Sequence, residues 1–187
     1  YQKFNIDSTE NRYISDLPEN GLNPEIFDTQ DYAGIHMAYQ LDTRNSLTLP
    51  SRGVYWNTRA SFFYDLDHSV KTFTRLSSDF SLFLSFRKPY RTVIALRAGG
   101  SLNLGDYEFF QANTLGGDVN LRGHRSTRYS GDASFYQTTE FRFKLFDFST
   151  YFAKGGFGLL GFNDVGRVWL EGEDGSILHN GYGGGIW

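Results

Sequence analysis

No cysteine occurs among the 187 residues, which excludes a disulfide framework and a thiolate metal site. Proline is scarce, at 4, and no apolar run approaches the roughly 18–20 residues of a membrane-spanning helix. An excess of positive charge is missing too. The net charge of −3 argues against a general polyanion surface, and so against nucleic acid as a partner. No signal peptide precedes Tyr1, as expected of a processed product or a fragment. Mean hydropathy is only −0.43, yet this does not exclude a membrane. A spanning β-strand needs about 9–11 residues with one apolar face, so its average hydropathy stays modest.

What is abundant is aromatic side chain and glycine: 18 Phe, 12 Tyr, 3 Trp and 21 Gly. Aromatic residues favour pleated surfaces, and glycine serves turns and close packing. Strict alternation follows from residue 31 onward. Over 31–42, Ala33, Ile35, Met37, Tyr39 and Leu41 share a face; over 53–64, Val54, Trp56, Thr58, Ala60, Phe62 and Tyr64 do. Over 71–86, Leu76, Phe80, Leu82, Leu84 and Phe86 oppose Arg75, Ser77, Asp79, Ser81 and Ser85. Over 92–103, Ile94, Leu96, Ala98 and Leu102 oppose Arg97, Gly99, Ser101 and Asn103. Further on, Phe135, Phe141, Phe143 and Leu145 oppose Tyr136, Thr138, Glu140, Arg142 and Lys144. Strands are also expected over 157–169 and from 181, and Phe4 and Ile6 read as the end of one more. No segment carries a helical period.

These segments exceed the typical strand of about 5–6 residues and place full charges in mid-strand on one face. The pattern favours an all-β antiparallel transmembrane barrel with an apolar outside and a polar lumen. A soluble sandwich or lipocalin-like barrel is the alternative. Connections are expected to be long at 8–30 and 104–130, medium at 43–52, 146–156 and 170–180, and short at 65–70 and 87–91. Outer-membrane barrels keep short turns on the periplasmic side, and strand parity puts both long connections outside. The segment 104–130 concentrates glycine and arginine around Leu115-Gly116-Gly117 and Leu121-Arg122-Gly123-His124, which suits a shaped, charged plug.

Five stretches, in order, resemble the barrel of the bacterial outer-membrane assembly factor superfamily. That superfamily comprises BamA-like insertases, TamA-like relatives, two-partner secretion transporters and surface-antigen barrels. The stretches are Leu41–Asn45 with Leu49–Gly53, Ala95–Gly100, Leu115–Gly117 leading to Leu121–His124, Gly161–Trp169, and Gly181–Gly185. The resemblance implies a barrel of about sixteen strands, of which this chain supplies about eight. Residues 1–187 are then the C-terminal part of that barrel domain, incomplete at both ends; a self-contained eight-stranded barrel is the rival.

The resemblance also implies that the loop 104–130 folds into the lumen and that Arg122 meets carboxylates there, namely Glu140 and Asp164. Phe162 and Gly166 belong to the supporting motif, and His124 stands where the family usually has Phe or Tyr. The implied function is insertion or translocation of polypeptides at the outer membrane of a Gram-negative bacterium, or of an organelle of such descent. Its partners would be outer-membrane lipid and either a client polypeptide or attached periplasmic domains. The alternative is a membrane anchor or export route for an upstream hydrolase, a phosphoesterase or a patatin-like lipase. Arg12–Ser15, Pro24–Phe27 and Gly53–Trp56 resemble phosphoesterase-fused barrels of Bacteroidetes-type bacteria.

Within the segment itself no enzyme is expected. His36, His68, His124 and His179 lack metal-ligand spacing, so neither metal nor cofactor is implied. Gly155–Gly158 precedes a strand and is no dinucleotide loop, and no nucleophile elbow occurs.

Overall fold

The computed structural model describes residues 2–4, 30–66, 72–87, 91–152, 154–172 and 177–187. Its strands are β1 (Gln2–Phe4), β2 (Gln30–Asp42), β3 (Gly53–Asp65), β4 (Phe73–Phe86) and β5 (Thr92–Gly105), then β6 (Asn113–Leu115), β7 (Tyr129–Gly131), β8 (Ala133–Ser149), β9 (Lys154–Trp169) and β10 (His179–Ile186). Eight of them form one antiparallel sheet in the order β1-β2-β3-β4-β5-β8-β9-β10, while β6 and β7 pair separately. Neighbours in sequence are neighbours in space, as in an up-and-down barrel wall. The sheet is open at β1 and β10. Ile6, the strings Arg12–Ser15 and Pro24–Phe27, most of the connection 8–30, and His68 lie outside the described residues.

The alternating segments form strands because each can satisfy its backbone against two neighbours while segregating its faces. The apolar face stays uncovered: Ile35 is 70% and Met37 72% exposed, and Tyr39, Trp56, Phe80, Phe141 and Phe143 also face outward. The opposite face buries polar groups, including Ser61, Ser81, Asn103, Ser134 and Asp164. Such a chain is inside-out relative to a water-soluble protein, which identifies the uncovered face as lipid-facing. A small aromatic cluster on the inner face joins Tyr32, Phe63 and Phe73, with Phe63 stacked on Phe73 at 4.6 Å and Tyr107 packed beside them.

One expectation about connections is corrected. The medium connection at 146–156 is only the short turn between Ser149 and Lys154, because β8 and β9 continue through it. A β-bulge between Lys144 and Phe146 interrupts the alternation there, so the strand is hidden in the sequence. Gly155–Gly158 accordingly lies within β9 and not ahead of it. The long connection after β5 also has structure of its own, a 3-10 turn at Phe109–Gln111 and the β6–β7 pair.

Candidate functional site: a lumen loop and its arginine

The segment between β6 and β7 turns back against the inner face of the sheet. Gly116 (φ +133°) and Gly117 (φ +82°) take left-handed conformations that a side chain would resist. The amide of Gly117 donates to the carbonyl of His124 (3.1 Å), and that of Leu121 donates to Gly117 (3.1 Å). Asn120 Oδ1 accepts from the Gly116 amide at 2.8 Å. Leu115 and Leu121 are fully buried. Leu115 fits because β9 offers Gly166: a Cβ there would lie 2.7 Å from a Leu115 methyl.

This turn delivers Arg122 to the wall. Its Nε donates to Asp164 Oδ2 and its Nη2 to Asp164 Oδ1, both at 2.8 Å, and its backbone amide adds a third bond to Oδ2 at 3.0 Å. Nη1 donates to Glu140 Oε2 at 2.8 Å. The guanidinium carbon sits 3.5 Å above the centre of the Phe162 ring. A planar fork is thus matched bidentately to one carboxylate, shared with a second, and stacked on an aromatic face. Asp164 is 1% exposed, so its charge depends on these donors. Breaking such a pair by removing one partner typically costs about 3–5 kcal/mol.

Glycines in β10 allow the loop to come this close. Gly181 faces the backbone carbonyl of Arg122, where a Cβ would collide. At Gly183 a Cβ would come within 2.8 Å of the Phe162 ring. Gly181 and Gly183 therefore read as clearance for Arg122 and for the ring beneath it. His124 sits at the loop tip, with Nε2 3.1 Å from the carbonyl of Asn180 and Nδ1 3.2 Å from the Tyr129 hydroxyl. Tyr129 in turn stacks on His179 at 3.6 Å. Gly123 (φ +85°) makes the bend between Arg122 and His124.

Two further arginines hold the same loop from the other side. Arg97 on β5 pairs with Asp79 on β4 (Nε to Oδ2, 2.8 Å) and donates through Nη1 to the carbonyl of Val119 at 2.6 Å. The Tyr136 hydroxyl also donates to Asp79, and Gly99 leaves room for that ring. Arg75 on β4 donates to Asn103 (2.9 Å) and to the carbonyl of Gln111. Tyr107 donates to Asp132; burial, with that bond adding to it, pushes the phenol above its ordinary range.

Glu140 is shared. Its Oε1 accepts from Arg142 Nε at 2.6 Å, and Arg142 Nη1 reaches the carbonyl of Pro50 at 3.1 Å. Pro50 belongs to the β2–β3 turn, which Asn45 organises by accepting from the amides of Ser51 and Arg52, each at 3.0 Å. A chain of contacts thus runs from the loop through Arg122, Glu140 and Arg142 to the turn at the far end of the sheet.

Of the residues singled out from the sequence, the structure brings Arg122, Glu140, Asp164 and Phe162 into contact and puts Gly166 under Leu115. Sequence reasoning placed Asp79, Arg97, Glu140 and Arg142 on the polar face but did not pair Arg97 with Asp79 or Arg142 with Pro50. Those pairings depend on register. His36, also on the inner face, bonds Ser61 at 2.9 Å. Among the described residues no three His, Cys, Asp or Glu side chains are grouped to hold a metal.

The Omp85 superfamily domain matches residues 3–183. Among solved structures, the chain is similar to BamA from Haemophilus ducreyi, crystallised lacking POTRA domains 1–3. The TM-score is 0.74 at 15% identity, over 98% of this chain and 42% of that one. The chain therefore spans less than half the length of that structure. No curated protein matches.

Proposed function

Since the chain belongs to the Omp85 superfamily, we propose that it forms part of an outer-membrane barrel that inserts or translocates polypeptides, and that Arg122 latches its lumen loop to the wall. The membrane would be that of a Gram-negative bacterium or an organelle of such descent. The segment would be the C-terminal part of the barrel domain, acting on client polypeptides without catalysing a reaction of its own.

The observation that carries the latch is the engagement of Asp164 by three donors of Arg122, with Glu140 taking a fourth. The backbone bond and the stack on Phe162 fix the path of the loop as well as its side chain. The latch couples the loop backbone itself to β9, so a shift of β9 moves the loop.

The test is Arg122→Ala in the full protein reconstituted in liposomes. An unfolded outer-membrane barrel protein diluted from urea serves as the client, and its protease-protected, heat-modifiable fraction is measured. The variant should keep its own heat-modifiable band while losing most of the client insertion. Insertion at the wild-type rate would remove the latch from the mechanism. A liposome assay in which neither protein inserts a client would instead favour an anchor or export role for an attached domain.

A further inference from the structure

Glu140 is gripped by two arginines, and neither grip is bidentate. Its Oε2 accepts from Arg122 Nη1 at 2.8 Å and its Oε1 from Arg142 Nε at 2.6 Å. Arg142 thus gives this carboxylate one nitrogen, whereas Arg122 gives Asp164 two. The cause lies on the other side of Arg142. Its Nη1 is drawn away to the carbonyl of Pro50 at 3.1 Å, and its guanidinium carbon lies 6.0 Å from the centre of the Phe83 ring on β4. Ala95, opposite Phe83 on one side and Glu140 on the other, leaves the side chain room to cross β5. Nη2 of Arg142 has no partner among the described residues.

A braced turn presents the Pro50 carbonyl. Past the last β2–β3 pair, Asp42↔Tyr55, the Thr43 amide donates to Val54 at 2.9 Å and the Asn45 amide to Arg52 at 3.1 Å. Asn45 Oδ1 then clasps the amides of Ser51 and Arg52, and its Nδ2 donates to the Ser51 hydroxyl at 2.9 Å. Within this clasp Pro50 is buried, while Leu47 and Leu49 stay exposed. In the sheet β3 and β8 stand three places apart, about 14 Å at ordinary strand spacing. The turn therefore reaches a residue that no local pairing would bring to it.

We propose that the β2–β3 turn sets the strength of the loop latch through Arg142, a positioning residue that decides which arginine holds Glu140. This inference rests on the Arg122 latch. With the turn docked, Pro50 keeps Arg142 out of the fork geometry, and Glu140 retains an oxygen for Arg122. With the turn undocked, Nε and Nη2 of Arg142 close on both oxygens of Glu140, the planar pairing a guanidinium favours, and Arg122 is left with Asp164 alone. One carboxylate with two discrete partners is a physical link between the turn and a loop at the opposite end of the wall. Loss of one charge-assisted bond raises the opening equilibrium of the loop about tenfold or more.

The test follows tryptic cleavage after Arg125, an exposed loop residue, in the full protein refolded in detergent. Cleavage that requires local opening tracks the population of the open form. Asn45→Ala undoes the clasp, and Pro50→Gly removes the buried ring that seats the turn; each variant that keeps a heat-modifiable band should be cut about tenfold faster than wild type. Arg142→Met alone should be cut within about twofold of the wild-type rate, because Arg122 then holds Glu140 without a competitor. Combined with Asn45→Ala or Pro50→Gly, it should return cleavage to that rate. Turn variants cut at the wild-type rate would overturn the inference, as would double variants cut as fast as the turn variants. Fast cleavage of Arg142→Met alone would make Arg142 a brace for Glu140 and overturn its part as competitor. Arg122→Ala separates the two readings: fast cleavage there with slow cleavage in the turn variants defeats this inference and leaves the latch standing, whereas the wild-type rate in Arg122→Ala defeats both.

Discussion

Asp164 receives the Arg122 side chain through two nitrogens and the Arg122 backbone through a third, so one carboxylate fixes both a side chain and the path of the loop that carries it. Glu140 receives a single Arg122 nitrogen and is shared with Arg142. The two acids are therefore unequal. Asp164→Asn should destabilise more than Glu140→Gln, by up to about 3–5 kcal/mol, because it removes the bidentate acceptor of Arg122 and leaves the guanidinium only Glu140 as a charged partner. Glu140→Gln leaves Arg122 its bidentate partner. Urea unfolding of the refolded protein in detergent, followed by the heat-modifiable band, ranks the two; equal midpoints would contradict the asymmetry.

Gly181 makes a different demand, since a side chain there meets the Arg122 carbonyl and only movement of the loop could relieve the clash. Gly181→Val should lift the loop from β10 and weaken the contact of His124 with Asn180 as well. Trypsin cleavage after Arg122 should accelerate in this variant while the strands stay resistant. Cleavage after Arg122 at the wild-type rate would show that the loop does not depend on that clearance.

Much of this arrangement was legible in the sequence because a strand's period of two sorts residues by face without any knowledge of partners. Arg75, Asp79, Arg97, Glu140 and Arg142 could be put on the inner face in that way. Which of them meet could not, because pairing requires register: Asp79 stands opposite Gly99, and it is the diagonal reach of Arg97 that joins them. The loop was marked by its length and glycines, yet its 3-10 turn and the β6–β7 pair are too short to leave a periodic trace. Alternation failed outright at Leu145-Phe146, where two apolar residues in succession disguise a bulged strand as a connection.

Leu115 and Gly166 form a matched pair, one fully buried and the other bare. Leu115→Ala should cost about 2–5 kcal/mol by leaving a cavity beneath the loop. Gly166→Ala alone should also destabilise, since its methyl group enters the space of the Leu115 methyls. Combined, the two changes should cost less than their sum, as the new methyl occupies part of the vacated volume. Unfolding midpoints of the four proteins in the cycle measure the coupling, and strict additivity would mean that the two residues do not share that space.

The bulge permits a last prediction, because its extra residue can be removed without changing what the rest of β8 presents. Lys144 pairs with Gly158 and Phe146 with Phe157, so Leu145 has no opposite number. Deleting Leu145 would restore simple alternation, with Phe143 outward, Lys144 inward and Phe146 outward, and every downstream side chain would keep its face. An added residue next to Leu145 that cannot be absorbed as a second bulge would do the reverse, turning Asp147 toward lipid, where a charge is costly. The deletion should therefore retain the heat-modifiable band with an unfolding midpoint close to wild type, whereas insertion of one alanine after Leu145 should lower the midpoint or abolish the band. If the deletion were the more damaging change, the bulge would have to be needed for the local twist it gives the hairpin and not for the phase of Phe146 and Phe148.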